Sequence, residues 1–157
     1  MKRIAIFVLF VVGLGAGLAF GVMKGSADVV KAVAQPTALS SAPGERVSFE
    51  VKLDIQKKWH LYAHGDTNFI GVDLVPSEEF PLEDFKAEYP AGHEKEFFGD
   101  MVFMIEGKAV LKASALVPDS LAKGDHELNL EVTVQACDDK VCLAPAYLPV
   151  VVKLTVE

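Results

Sequence analysis

Cysteine is scarce in this chain, at two of 157 residues. That is too few for a small disulfide-framework protein or a four-thiolate zinc site. Positive charge is also short: 15 Lys and Arg face 22 Asp and Glu, for a formal net charge of −7. Without a basic cluster there is no electrostatic footprint for nucleic acid or for anionic lipid, and neither is expected as a partner. Helical periodicity is missing as well. Beyond Asp28 no amphipathic helical stretch of ten or more residues can be found, and no internal repeat or low-complexity tract appears.

What is plentiful is apolar surface, at 51% hydrophobic residues and a mean hydropathy of +0.30. Part of it is concentrated. Met1-Lys2-Arg3 gives a positive start, Ile4 to Met23 carries no charge, and Lys24-Gly25-Ser26-Ala27-Asp28 follows with small residues. This is the pattern of a secretory signal, with Gly25 and Ala27 suited to the −3 and −1 positions of a cleavage site. Ala32-Val33-Ala34 is a second, more distant site. A run of this length also suffices to span a bilayer, so an uncleaved anchor is the alternative. Gly13, Gly15, Gly17 and Gly21 weaken it as a helix. Residues 1–27 are therefore expected to be a signal peptide or anchor, and residues 28–157 an exported domain in which disulfides persist. Lys2, Arg3 and Lys24 are the only charges in the first part, so the remaining 130 residues carry 12 bases and 22 acids, a net of −10. That length fits one domain with a real core.

Strict alternation dominates that domain. Val47, Phe49, Val51, Leu53 and Ile55 alternate with polar neighbours, as do Leu128, Leu130, Val132, Val134 and Ala136, and then Val150, Val152, Leu154 and Val156. Each run predicts a half-buried antiparallel strand. Met101 to Ile105 and Ala109 to Val117 flank Glu106-Gly107-Lys108 and read as a hairpin. Shorter strands are predicted at Trp59 to Ala63 and Phe69 to Val75. Gln35 to Gly44 reads as a loop, and Pro76 to Asp100, with Pro76, Pro81 and Pro90, as a long segment of little structure and so a place to look for function. About seven short strands predict an all-β, immunoglobulin-like antiparallel β-sandwich, with an antiparallel barrel as the alternative.

The strongest chemical feature is Cys137-Asp138-Asp139-Lys140-Val141-Cys142. Parity along the preceding strand puts Cys137 on the solvent side. The polar turn can bring the two Cα atoms within the roughly 7 Å that a disulfide needs. Such a bridge is either a staple, contributing about 2 kcal/mol by loop entropy, or a redox pair open to an attacking thiolate. Spacing alone leaves both readings open. Asp138 and Asp139 raise thiol pKa values, which suits a disulfide that is attacked better than a thiol that attacks first.

Trp59-His60-Leu61-Tyr62-Ala63, Glu88-Tyr89-Pro90, Glu96-Phe97-Phe98-Gly99 and Gln135-Ala136-Cys137 through Cys142 with Pro145 occur in an order that resembles one family. It is the N-terminal periplasmic domain of the thiol:disulfide interchange protein DsbD, and the resemblance runs from about Ala34 to Glu157. It implies an immunoglobulin-like sandwich whose cysteine pair passes electrons between thioredoxin-like periplasmic proteins, serving disulfide isomerases or cytochrome c maturation. Cys142 would form the mixed disulfide and Cys137 resolve it. Glu96, Phe97, Phe98 and Gly99 would form a cap loop with Phe97 as the lid, and His60 and Tyr62 would support the site. No cofactor is implied. The family's long form continues into a membrane domain and a thioredoxin domain, so a separate membrane electron carrier is the expected supplier. The chain departs from the family in having four residues between the cysteines, Ala144-Pro145 after them, and Lys95 before the cap.

Other readings are weaker. His60, His64, His93 and His126 have no ligand spacing, and oxidation would remove the thiols, so no metal is expected. Met101 and Met104 fall on opposite strand faces and read as core filling. The alternative function is a non-catalytic immunoglobulin-like binding or assembly module with a structural disulfide.

Overall fold

The alternating runs form strands because each presents one apolar comb to a shared interior. The computed structural model describes residues 24–97 and 99–157. The apolar run Ile4 to Met23 lies outside them, and among the described residues no helix is long and apolar enough to cross a membrane. A short 3-10 turn, Ser26–Asp28, leads into β1 (Val30–Gln35), β2 (Ala38–Ser41), β3 (Arg46–Ile55), β4 (His60–Tyr62) and β5 (Asp73–Pro76). Then come β6 (Glu83–Glu88), β7 (His93–Phe97), β8 (Asp100–Glu106), β9 (Lys108–Leu116), β10 (Gly124–Val134) and β11 (Ala146–Val156).

Two four-stranded sheets, ordered β1-β3-β9-β6 and β2-β11-β10-β5, make an immunoglobulin-like sandwich. Val51, Leu53, Leu111 and Ala115 of one sheet are buried in one core with Leu128, Val132, Val152 and Leu154 of the other. Full burial of each Val or Leu is worth roughly 1.5–3 kcal/mol, which makes these combs the main source of stability. A third sheet, β4-β8-β7, carries a smaller cluster of Tyr62, Val102, Met104 and Cys137.

Several expectations are corrected. Pro76 to Asp100 is not a long loop but contains β6 and β7. Both are edge strands of their sheets. β6 buries its inner residues only partly and slips register between Glu83 and Lys86, so its alternation is blurred. Gln35 to Gly44 includes β2, which pairs parallel with β11, and β1 precedes it. Phe69 is not in a strand, because Asp66 Oδ1 accepts the amide N–H of Asn68 and of Phe69, both at 2.9 Å, and turns the chain there. β8 and β9 do not form a hairpin. Gly107, at φ +65°, carries the chain from the third sheet into the first, and its carbonyl accepts the Ile55 N–H at 2.8 Å. Met104 fills core as expected, whereas Met101 is 56% exposed.

Candidate functional site

The cysteine hairpin grows out of the β10–β11 ladder, whose last regular pair is Val134↔Ala146. Beyond it the register slips. Leu143, Ala144 and Pro145 stand opposite Gln135 and Ala136 before pairing resumes at Cys137↔Cys142. This is a β-bulge, a device that re-aims side chains at strand ends. Asp138 then closes the turn. Its Oδ1 accepts the Lys140 and Val141 N–H groups at 2.9 Å each, and its Oδ2 meets Lys58 Nζ at 3.1 Å. The Val141 and Lys140 amides, with the Lys58 ammonium, pull the Asp138 carboxyl down to about 2.

Cys137 and Cys142 are disulfide-bonded, with Cα atoms 4.0 Å apart. The two sulfurs differ in access. Cys137 is fully buried and Cys142 is exposed. Cys137 faces away from Ala136 and the main core, as parity requires, but the expected solvent side is overturned, because β4 and the cluster it carries cover that face. His60 N donates to Cys137 O at 2.9 Å and Cys137 N to His60 O at 3.0 Å. Cys137 is therefore an inner position of a ladder running β7-β8-β4, then Cys137, with Cys142 at the rim.

His60 and Tyr62 stand two apart on β4 and share the face that carries the Cys137 cluster, while Leu61 points into the main core. Their rings meet edge to face at 5.3 Å between centroids, and His60 Nε2 lies 3.4 Å from the Tyr62 hydroxyl. Burial lowers the His60 pKa, against the raising pull of Glu106 and the nearer aspartates. Burial, then Asp66, raises that of Tyr62. Both are neutral near pH 7.

The sign of the His60 effect sets a pH dependence. The unfolded imidazole titrates near 6.5 and the folded one below that, so its contribution is complete above the unfolded value and is lost as pH falls toward the folded one. Thermal melts on either side of that window should show the wild type losing stability more steeply than His60→Gln. Parallel curves would refute this. Asp138 acts in a lower window, from the normal carboxylate range down to about 2.

Of the expected cap loop, Glu96 pairs with Met101 and Phe97 with Asp100 at the end of β7, and Gly99 turns the chain at φ +91°. Phe98 and the Phe97 side chain lie outside the described residues. Lys95, two residues before Phe97, reaches the hairpin tip at 3.6 Å from Asp139 Oδ1. The other histidines are dispersed: His64 lies on Tyr89, His93 beside Glu106, and His126 on the Ala122 carbonyl. Among the described residues no group of three or more His, Cys, Asp or Glu is arranged to hold a metal.

Two site residues were missed in the sequence. Phe69 stacks on Tyr62 at 4.0 Å between ring centroids, nearly parallel, and packs against the Cys137 cluster. The Asp66-x-x-Phe69 turn was the available signal. Gly71 permits this arrangement. It pairs in parallel with Tyr62, and a Cβ there would collide with the Ala63 carbonyl oxygen. Ser26, buried against both arms of the hairpin, was read only as part of a processing motif.

A family model described as thiol:disulfide interchange protein DsbD, N-terminal, matches residues 27–152. No curated protein matches the chain. The crystal structure of the N-terminal periplasmic domain of ScsB from Proteus mirabilis is similar over 76% of this chain and 43% of that one, at 15% identity and a TM-score of 0.53. This chain therefore spans less than half of that one, and at such identity the likeness speaks for the fold. The Neisseria meningitidis DsbD N-terminal domain, in its reduced form, aligns over 67% and 75% of the two chains, at 17% identity and a TM-score of 0.47. With the family match covering most of its length, the chain belongs to the family of the N-terminal domain of thiol:disulfide interchange protein DsbD, a thiol–disulfide exchange domain with a cysteine pair.

Proposed function

We propose that this chain is a periplasmic electron relay between thioredoxin-like proteins, working through Cys137 and Cys142. The observation that carries the reading is the unequal access of the two sulfurs, Cys142 at the rim and Cys137 in a neutral, buried cluster. A partner thiolate attacks Cys142 Sγ, the Cys137–Cys142 bond breaks, and Cys137 leaves as a thiolate that takes up a proton. The partner's second thiol then attacks the partner's own sulfur in the mixed disulfide and releases Cys142. Two electrons and two protons have moved, and the partner leaves as a disulfide. Delivery to an acceptor disulfide is the same sequence reversed, with Cys142 attacking and Cys137 resolving.

Neutral His60, next to Cys137 in the ladder, supplies the nearby base, with Tyr62 behind it. The loop of Glu96, Phe97, Phe98 and Gly99 acts as the cap, an apolar lid that a docking partner displaces. The Lys95–Asp139 contact supports a cap strand coupled to the hairpin. A membrane electron carrier supplies the electrons, and isomerases or cytochrome c maturation proteins receive them. The staple reading draws on the full burial of Cys137.

The test is exchange with a reduced thioredoxin-fold protein. The oxidised chain should be reduced within minutes and show a potential above about −300 mV, the range below which structural disulfides resist reduction. A lower potential with no exchange would establish the staple and the binding module.

A further inference from the structure

Ser26 sits where the bulge leaves the hairpin open. With three residues opposite two, the Ala136 N–H and the Ala144 carbonyl have no ladder partner in each other. Ser26 serves both: its Oγ accepts the Ala136 N–H at 2.9 Å and donates to Ala144 O at 2.7 Å, and its own N–H adds a bond to Ala144 O at 3.1 Å. The residue is fully buried. Ala136 directly precedes Cys137, and Ala144 follows Cys142 by two residues, so one hydroxyl ties together the two arms that carry the sulfurs. The turn around it is itself fixed, with Gly25 N–H donating to Asp28 Oδ2 at 2.8 Å and Gln56 Nε2 to Asp28 O at 3.0 Å.

We infer that Ser26 is a positioning residue for the disulfide, setting how far the cysteine arms separate on reduction and hence the dithiol–disulfide equilibrium. The inference rests on the redox reading above and adds a determinant outside the hairpin. In the disulfide form the covalent bond holds the arms together whatever occupies position 26. Without the hydroxyl, the buried Ala136 N–H then has no partner, which is costly. In the dithiol form the arms can part and let that group reach water. Loss of the hydroxyl therefore penalises the disulfide more than the dithiol, and the equilibrium moves toward the dithiol. A cut between Ala27 and Asp28 would have the same effect by removing Ser26.

The experiment equilibrates the full chain with mixtures of oxidised and reduced dithiothreitol and measures the dithiol fraction by thiol alkylation. Ser26→Ala should shift the equilibrium about tenfold toward the dithiol, and Ser26→Gly should do likewise if the alanine variant folds poorly. Val156→Ala is the control for lost stability. It removes buried side-chain volume at the opposite end of β11 and should leave the equilibrium within about twofold of wild type. The inference is overturned if the Ser26 variants match wild type, if the control shifts equally, or if an exported protein starting at Asp28 keeps the wild-type equilibrium. A wild type that no thioredoxin-fold dithiol reduces would instead count against the redox reading.

Discussion

Cys142→Ser should abolish exchange with a thioredoxin-fold partner, whereas Cys137→Ser should capture that partner as a stable mixed disulfide. The asymmetry follows from burial. In Cys137→Ser the remaining sulfur is the exposed one, free to pair with an incoming cysteine, and this chain keeps no second thiol to release it, so a partner that lacks its own second cysteine stays bound. In Cys142→Ser the remaining sulfur lies beneath Tyr62, Val102 and Met104, and the exposed position holds an alcohol. A cysteine is a few per cent thiolate at neutral pH, while a serine hydroxyl without an activating base is not ionised at all. The rate of mixed-disulfide formation should therefore differ by about three orders of magnitude or more between the two variants. Non-reducing electrophoresis reads this directly after mixing each variant with a thioredoxin-fold protein that lacks its second cysteine and carries the first as a mixed disulfide with a good leaving thiol, which the attacking sulfur displaces. Equal trapping through both cysteines would show that the burial difference does not govern attack.

The parts of this fold legible in the sequence were those buried on one face only. β3, β10 and β11 announce themselves because every second residue enters the core between the two main sheets, and pure alternation is what that environment demands. β6 and β7 were hidden for the opposite reason. An edge strand that is only partly buried, as β6 is, or exposed, as residues 93–96 of β7 are, needs no strict comb, and Pro81 and Pro90 beside them read as loop. The site was legible as chemistry and illegible as geometry. A cysteine pair across a polar turn is visible at once, but parity along β10 does not tell that the face opposite the main core is covered rather than open to solvent. The face that buries Cys137 comes from His60 and Tyr62, far away in sequence, and the turn at Ser26 from farther still.

The same burial makes Tyr62 the most consequential side chain of the third sheet. Its ring is fully buried, stacked on Phe69, edge-on to His60, and part of the cluster that covers Cys137. Tyr62→Ala should cost about 3–5 kcal/mol, as for other large aromatic truncations in cores, or roughly 10–20 °C in melting temperature for a domain of this size. Tyr62→Phe should cost less than about 1.5 kcal/mol, since only the hydroxyl is lost and its 3.4 Å contact with His60 is long for a hydrogen bond. If the phenylalanine variant is as unstable as the alanine one, the hydroxyl and not the packing holds the cluster. The two variants also separate structure from reactivity. Tyr62→Ala uncovers Cys137, so in the Cys142→Ser background it should restore trapping through Cys137, while Tyr62→Phe should not. Restoration would tie the choice of the attacked sulfur to the ring that shields its neighbour.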